Sequence, residues 1–488
     1  MTTSATSQSI TIRHPDALFI GGAWIAPSSG GRIEVVNPAT EQVVARVAEA
    51  READMDKAVA AAREAFDKGP WPRLSHAERA GYLLNLVKHL RARETELAAA
   101  WTEQVGGLAT FAPMMVGGAT AQIEIYAGLA ESYPFETRQP GSLGGTAVLR
   151  REPVGVVVAI APWNAPYTIM AQKCAPALLA GCTLILKPSP ETPLEAYILA
   201  ECAEAAGFPP GVINVAAAHR EASDYLVRRP GVDKVSFTGS TAAGRRIASV
   251  CGERIARCTL ELGGKSAAIV LDDYDVAAAA KVLSQSIAIM SGQVCATLGR
   301  VIVPRQRHDD FVDAFNAELK AIRVGAPTDP ESQMGPLAME RQRDRVEGYI
   351  AKGKAEGAKL TAGGGRPVHM NRGFYIEPTL FANVDNAMTI AQEEIFGPVI
   401  CLIPCADTED AIRIANDSIY GLNGAVFTHD AERAYDVACK VRTGSIGQNG
   451  LKMDFAMPFG GYKQSGIGRE GGAEGLLPYF ETKTVLLD

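Results

Sequence analysis

The chain has 488 residues, more than one hydrophobic core sustains, so two or three domains of roughly 100–200 residues each are expected. With 47% hydrophobic and 21% charged residues, its composition is that of an ordinary globular protein and excludes a disordered one. Asp and Glu number 55 against 48 Lys and Arg, a net charge of −7 that offers no broad basic face and argues against nucleic acid as a partner.

The first stretch, "MTTSATSQSITIRHPDALFI", has no basic segment followed by an apolar one, and reads as a loose tail without a secretion signal. After an initial hairpin, apolar residues at helical spacing predict helices over "EADMDKAVAAAREAF" and "SHAERAGYLLNLVKHLRARETELAAAW", the second opened by a Ser75/Glu78 capping box. The first 130 residues are therefore expected to be mostly helical. "YPFETRQPGSLGGTAVLRREPVG" is turn-rich and then β-like, and the chain end "YFETKTVLLD" is β-like too. Strands so exposed invite association, so both are read as a subunit-pairing arm. From residue 150 short β-branched runs alternate with helices through "VGVVVAIAP", "TLILKPS", "GVINVAAA" and "DKVSFTGS", the pattern of a parallel sheet covered on both faces. A second series runs from "SAAIVLDDYD" through "RVIVP", "GPVICLIPC" and "NGAVFTHD" to "GSIGQNG", with Glu261 and Gly263 at the junction of the two lobes. The most apolar runs fall short of the about 20 residues that a bilayer needs, so no membrane is expected. Nine cysteines, with no CxxC pair and no zinc-ligand spacing, argue against a disulfide framework and a structural metal, and for a reducing cytoplasm.

Four stretches carry chemistry. In "SGQVCATLGR", Cys295 follows Gly292 and Gln293, where a turn can expose sulfur and a backbone N–H together; a packed thiol is the competing reading, and it suffices for Cys174, Cys182, Cys202 and Cys439. None of the seven histidines has a motif-like setting, since all read as surface or capping positions, which disfavours a Cys-His hydrolase. A carboxylate is the better base: in "LELGGKSAAIV", Glu261 ends a β-like run before a Gly-Gly turn, though a surface ion pair is the plainer reading. "SFTGSTAAGRR" is a strand, a Gly239-Ser240 turn and a helix start that could hold a phosphate; Arg245 and Arg246 stand where a P-loop requires Lys and Ser/Thr, so an NTPase is disfavoured. In "APWNAPY", Pro162 and Pro166 stiffen a loop whose Asn164 could donate to an oxyanion or simply satisfy the turn. "LILKPS" repeats the strand-then-loop arrangement, with Lys187 at the strand's C-terminal end, where ligands bind in open α/β sheets.

Taken together and in this order, "PWNAP", "KPSP", "FTGSTAAGR", "ELGGKSAAIVL", "GQVC", "EEIFGPV", "NGLKMDFAMPFGGYKQSGIGRE" and "ETKTV" resemble the NAD(P)-dependent aldehyde dehydrogenase superfamily over nearly the whole chain. The resemblance implies an α/β fold with a Rossmann-type cofactor domain (1–130 and 150–262, with 466–475), an α/β catalytic domain (263–465) and a small β oligomerisation arm (131–149 and 476–488), assembled as a homodimer or homotetramer. It makes Cys295 the nucleophile, Glu261 the general base and Asn164 an oxyanion donor, with Lys173 and Glu470 matching proton-relay positions. Glu394 and Phe396 match contacts to the nicotinamide ribose, and Trp163, Lys187, Ser189, Gly239, Ser240 and Leu262 match contacts to the rest of the dinucleotide. Pro190 stands where the family commonly has a ribose-binding glutamate; Glu191 is a candidate substitute, with NAD the expected cofactor and NADP the alternative. Ala165 replaces a usual aromatic residue and should widen a substrate tunnel matched by Met170, Val294, Met453, Phe455, Met457 and Phe459, which implies a medium or bulky hydrophobic aldehyde, terpenoid or aromatic, unless those residues merely pack. The rivals are a CoA-acylating relative, a non-catalytic binding or structural protein on the same fold, and a cysteine hydrolase without a redox step.

Overall fold

The computed structural model describes residues 10–488. An eight-stranded sheet runs in the order Gly466–Ile467, Arg257–Glu261, Lys234–Thr238, Val156–Ile160, Thr183–Lys187, Ile213–Val215, Leu18–Ile20, Ala23–Ile25. Its five strands from Arg257–Glu261 to Ile213–Val215 are mutually parallel. Val156–Ile160 and Thr183–Lys187 are buried at every position, as expected of β-branched runs in a sheet covered on both faces. Alternate side chains serve the two sides: Val157, Ala159, Leu184 and Leu186 join the core under the helices Pro166–Ala180 and Leu194–Ala205. Val156, Val158, Ile160 and Ile185 join the core under Glu52–Asp67 and Thr241–Glu253.

The connectivity makes a crevice. From Val156–Ile160 the chain steps outward through Thr183–Lys187 and Ile213–Val215, then returns to lay Lys234–Thr238 on the other side of Val156–Ile160. The strand order thus reverses between Val156–Ile160 and Lys234–Thr238, and the loops at their C-terminal ends, 161–165 and 239–240, face one another across a topological switch point.

The second sheet has seven strands, in the order Lys359–Ala362, Thr379–Ala382, Val399–Cys405, Arg300–Pro304, Ala267–Val270, Gly424–Phe427, Gly447–Gln448, all parallel except the first pair. Only residues 262–266 separate Arg257–Glu261 of the first sheet from Ala267–Val270 of the second, so Glu261 stands at the junction. A third sheet pairs Phe480–Leu487 with Thr146–Pro153 and Glu136–Pro140.

Two expectations change. Leu18–Ile20 is a buried strand of the first sheet, not tail; the tail reading otherwise falls on residues 10–17, which form no regular element, and on residues 1–9, outside the described residues. Two hairpins precede the helices, since Arg32–Val36 also pairs with Val43–Ala48. The capping box is present: Ser75 Oγ accepts from Glu78 N at 3.2 Å and the Glu78 carboxylate accepts from Ser75 N at 2.7 Å. Among the described residues no helix is long and apolar enough to cross a membrane.

Candidate functional site

The helix Val276–Ala288 stops short of Cys295, and Met290, Ser291 and Gly292 turn the chain through left-handed backbone with φ of 49°, 54° and 71°. Only the third is a glycine, and a Cβ there would lie 2.3 Å from the Gly397 carbonyl oxygen. The turn is pinned by Ser291 Oγ donating to Gly335 O at 2.7 Å and by the Gln293 side chain, which donates to Met290 O and accepts from Ala338 N. Cys295 beyond it is half-buried, whereas Cys174, Cys182 and Cys202 are fully buried as packing predicts; Cys439 is exposed, against that reading. Among the histidines, His308 departs from the surface reading: it is buried, and its Nε2 accepts from Asn383 N. Burial, with the Glu394 and Glu261 carboxyls nearby, pushes the Cys295 thiol up to about 12.

The Gly-Gly turn after Glu261 brings this loop to the sheet junction. A Cβ on Gly264 would lie 2.5 Å from the Cys295 carbonyl oxygen, a backbone atom, so that position requires glycine; one on Gly263 would lie 2.3 Å from Glu394 Oε2 and would displace that carboxyl group. Glu261 itself is 4% exposed, and neither carboxyl oxygen has a hydrogen-bond partner. Burial, then the Glu470 charge, raises it well above the ordinary carboxylate range, against Lys173 and Arg469. An unpaired buried carboxyl is costly and serves no packing purpose. The surface-ion-pair reading does not apply.

Asn164 reaches across the crevice from the other side, its Nδ2 donating to Gln293 O at 2.9 Å. Behind Glu261, Lys173 Nζ donates to Glu470 Oε1 at 2.5 Å, both side chains being buried. Ser236 Oγ accepts from Lys173 at 3.2 Å and donates to Glu470 at 3.1 Å, and the Tyr479 hydroxyl donates to Ser236. Tyr126 OH accepts from Gly471 N, securing the backbone beside Glu470. Ser236 and Tyr479 sit at the first position of the stretches "SFTGSTAAGRR" and "YFETKTVLLD" without a chemical signal of their own, and Tyr126 lies in no motif; only the fold assembles the three.

On the crevice side, Lys187 ends its strand buried, pushed down to about 8 by desolvation against the pull of Glu191. The Glu191 carboxylate accepts from Ser189 Oγ and pairs with Arg341. Ser240 caps the helix Thr241–Glu253, its Oγ accepting from Ala243 N, while Leu262 is buried beneath Gly244. Glu394 Oε1 accepts from Gly264 N at 3.0 Å, and burial pushes this carboxyl up to about 7. Trp163 meets Phe396 edge-on at 5.2 Å between ring centroids, with Phe396 itself left-handed at φ 61°. A cavity lined by Gly264, Lys265, Val294, Thr297, Glu394 and Phe396 lies alongside. The glycine turn at a helix start suits a phosphate, and the buried cation with its carboxylate at the sheet's C-terminal edge suits a ribose, so the donor set fits a dinucleotide.

Of the expected tunnel residues, Met453 and Met457 are exposed, and Ala165, Val294, Phe455 and Phe459 are half-buried. The Phe455 ring lies over the helix Ala112–Ser132, where a Cβ on Gly118 would come within 3.1 Å of it. Phe459 is tied to Glu470 by paired backbone hydrogen bonds. Met170 is a correction: it is 0% exposed, because that position of its helix packs into the apolar core of the first lobe, while the neighbouring Ile169 stays half-buried.

Against known proteins, the family model described as Aldehyde dehydrogenase family matches residues 24–485. A geranial dehydrogenase of Castellaniella defragrans is 44% identical over 98% of this chain and 100% of its own length. A 3-succinoylsemialdehyde-pyridine dehydrogenase of a Pseudomonas species is 42% identical over 96% of this chain and 98% of its own. Among solved structures, a Mycobacterium tuberculosis aldehyde dehydrogenase complexed with NAD+ superposes with a TM-score of 0.95 at 48% identity, covering 97% of this chain and 98% of that one. A mutant aldehyde dehydrogenase C from Pseudomonas syringae, complexed with NAD+ and octanal, superposes with a TM-score of 0.94 at 40% identity, covering 98% of each chain.

Proposed function

The chain belongs to the aldehyde dehydrogenase family, and from that premise we propose that it oxidises a medium or bulky hydrophobic aldehyde to the carboxylic acid with NAD as cofactor. The observation that carries the reading is Glu261: a buried carboxyl with both oxygens unpaired, at the same junction as the half-buried Cys295. The unpaired base favours hydrolysis over the CoA-acylating alternative, since thiolysis needs no water-activating carboxylate there.

Each step assigns a task to a residue already placed. Cys295 Sγ, once deprotonated, bonds to the aldehyde carbon, and the carbonyl oxygen becomes an oxyanion. Asn164 Nδ2 and the Cys295 backbone N–H donate to that oxygen, each contributing about 3 kcal/mol by the precedent of preorganised oxyanion donors. Lys187, Ser189, Gly239, Ser240 and Leu262, with Trp163, Glu394 and Phe396, would hold the dinucleotide, which when bound supplies the hydride acceptor that leaves a thioester on Cys295. Glu261 then takes a proton from the water that attacks the thioester; its raised pKa makes it a stronger base than an ordinary carboxylate once ionised. The buried Lys173–Glu470 pair behind it offers the proton a way out. The acid leaves and Cys295 is regenerated.

For the substrate, the support is the apolar set Met453, Phe455, Met457 and Phe459, the small Ala165, and relatives named for geranial or bound to octanal. For NAD over NADP, it is the Glu191 carboxylate beside Lys187 and Ser189, which suits a diol and repels a 2′-phosphate. The test is NADH formation with geranial, benzaldehyde and octanal against betaine aldehyde and succinate semialdehyde, repeated on Cys295→Ala. Hydrophobic aldehydes should lead by about tenfold or more in kcat/KM, the discrimination apolar contacts commonly give, and the variant should be inert. A lead for the charged aldehydes would overturn the substrate class, and activity in Cys295→Ala the mechanism.

A further inference from the structure

Ser236 lies mid-strand in Lys234–Thr238 and is 0% exposed. The parallel register sets it opposite Thr259, two residues before Glu261, so alternation turns the Ser236 and Glu261 side chains to the same face of the sheet. Glu470 comes to that face from the end of the chain. Gly460 backs onto Glu261, since a Cβ there would lie 2.8 Å from Glu261 Oε1, and its neighbour Phe459 exchanges both backbone hydrogen bonds with Glu470.

The hydrogen bonds at Ser236 allow one arrangement of protons. Lys173 Nζ can only donate, so Ser236 Oγ accepts from it at 3.2 Å; a carboxylate paired with that lysine can only accept, so the Ser236 proton goes to Glu470 Oε1 at 3.1 Å. Tyr479 OH at 3.3 Å must therefore donate to Ser236, and burial keeps this phenol protonated by raising it well above its ordinary range. Lys173 donates to the same Oε1 at 2.5 Å, while Glu470 Oε2 accepts from none of the described residues.

We propose that Ser236 is a positioning residue for hydrolysis: with Lys173 it fixes one oxygen of Glu470 and leaves the other free to take the proton that Glu261 draws from water. This rests on the readings of Glu261 as the base and of the Lys173–Glu470 pair as the proton's way out. Pairing the buried charges needs only the direct Lys173–Glu470 contact. A second donor to the same oxygen, brought from a strand rather than a helix, also stops the carboxylate from rotating, which a single hydrogen bond does not do.

The experiment follows the acyl-enzyme in a single turnover. The full chain is mixed with octanal and one equivalent of NAD and quenched with acid at intervals, and octanoyl-Cys295 and octanoate are measured by mass spectrometry, so that formation and decay of the thioester are read separately. Ser236→Ala should form the thioester at a rate within about twofold of the parent and hydrolyse it about tenfold more slowly, a part of the about hundredfold or more that general acid–base catalysis supplies. In a Glu470→Gln background, Ser236→Ala should slow decay no further, because the serine acts through the carboxylate. Unchanged decay in Ser236→Ala, equal slowing of formation and decay, or the same slowing in both backgrounds overturns the positioning role. Unchanged decay in Glu470→Gln or in Glu261→Gln overturns instead the reading on which it rests. Should Ser236→Ala not fold, Ser236→Cys, which keeps the volume and offers only a weak donor, takes its place with the same deciding outcomes.

Discussion

Cys295 is held as a thiol by burial and by the Glu394 and Glu261 carboxyls, and this has a measurable sign. A pKa pushed up to about 12 leaves little thiolate at neutral pH, so iodoacetamide should alkylate Cys295 slowly there and faster as pH rises. Removing either like charge favours the thiolate; Glu394→Gln and Glu261→Gln should each speed alkylation at fixed pH and move the profile to lower pH, as mass spectrometry of the Cys295 peptide would report. An unshifted profile would mean that burial alone sets the thiol. Glu261 runs the other way: raised above the ordinary carboxylate range, it is protonated and useless as a base at low pH. The hydrolytic step should therefore quicken with pH until Glu261 ionises, and that limb should vanish in Glu261→Gln. At Glu191, replacement by Gln removes the carboxylate and leaves Arg341 without its partner, so on the proposed reading of Glu191 equilibrium binding should shift toward NADP by about tenfold relative to NAD, the size of one like-charge contact at a partly buried site. An unchanged ratio would leave selection to other groups.

At the scale of elements, glycine sets how closely the chain packs beside Cys295 and beside Phe455. Gly264→Ala puts a methyl 2.5 Å from the Cys295 carbonyl oxygen and should cost about a hundredfold in kcat, the scale of a displaced nucleophile, with the fold retained by circular dichroism. Gly117 and Gly118 are neighbours on one helix with opposite surroundings: a Cβ on Gly117 meets nothing within 4 Å, and one on Gly118 meets the Phe455 ring. Gly117→Ala should therefore stabilise the helix by about 0.5–1 kcal/mol in denaturant unfolding without touching kinetics, whereas Gly118→Leu should displace the Phe455 ring and, on the proposed substrate path, raise KM for geranial more than for propanal. Equal effects on both aldehydes would place Phe455 outside the substrate path. The parallel strands around these turns were legible because buried β-branched runs such as Val156–Ile160 advertise themselves. Lys359–Ala362 was not, being four residues long and running into glycines. The left-handed Met290, Ser291 and Phe396 carry no glycine to announce them; neighbouring packing imposes their backbone. Ser236 was invisible for another reason: its partner Glu470 lies 234 positions along the chain, and no local pattern encodes that meeting.

Across the whole molecule, the third sheet is the part whose exposure its own chain does not explain. Phe480–Leu487 and Thr146–Pro153 pair along eight residues, yet Glu136–Pro140 forms an outer edge exposed at every position. Leu143 at 102%, Leu486 at 76% and Leu487 at 46% exposure gather on the same sheet and its hairpin tip. An open edge is a template for pairing, and clustered leucines in water are unfavourable unless covered, so this sheet has both the hydrogen-bonding and the apolar surface of an association site. Read as a subunit-pairing arm, it should hold copies of the chain together largely through those leucines. Leu143→Asp with Leu486→Asp adds two like charges at exposed positions outside the buried clusters, and light scattering should show the assembly falling to smaller species while the circular dichroism spectrum of the full chain changes little. A parent chain that is already monomeric, or a double variant of unchanged mass, would assign the arm some other role.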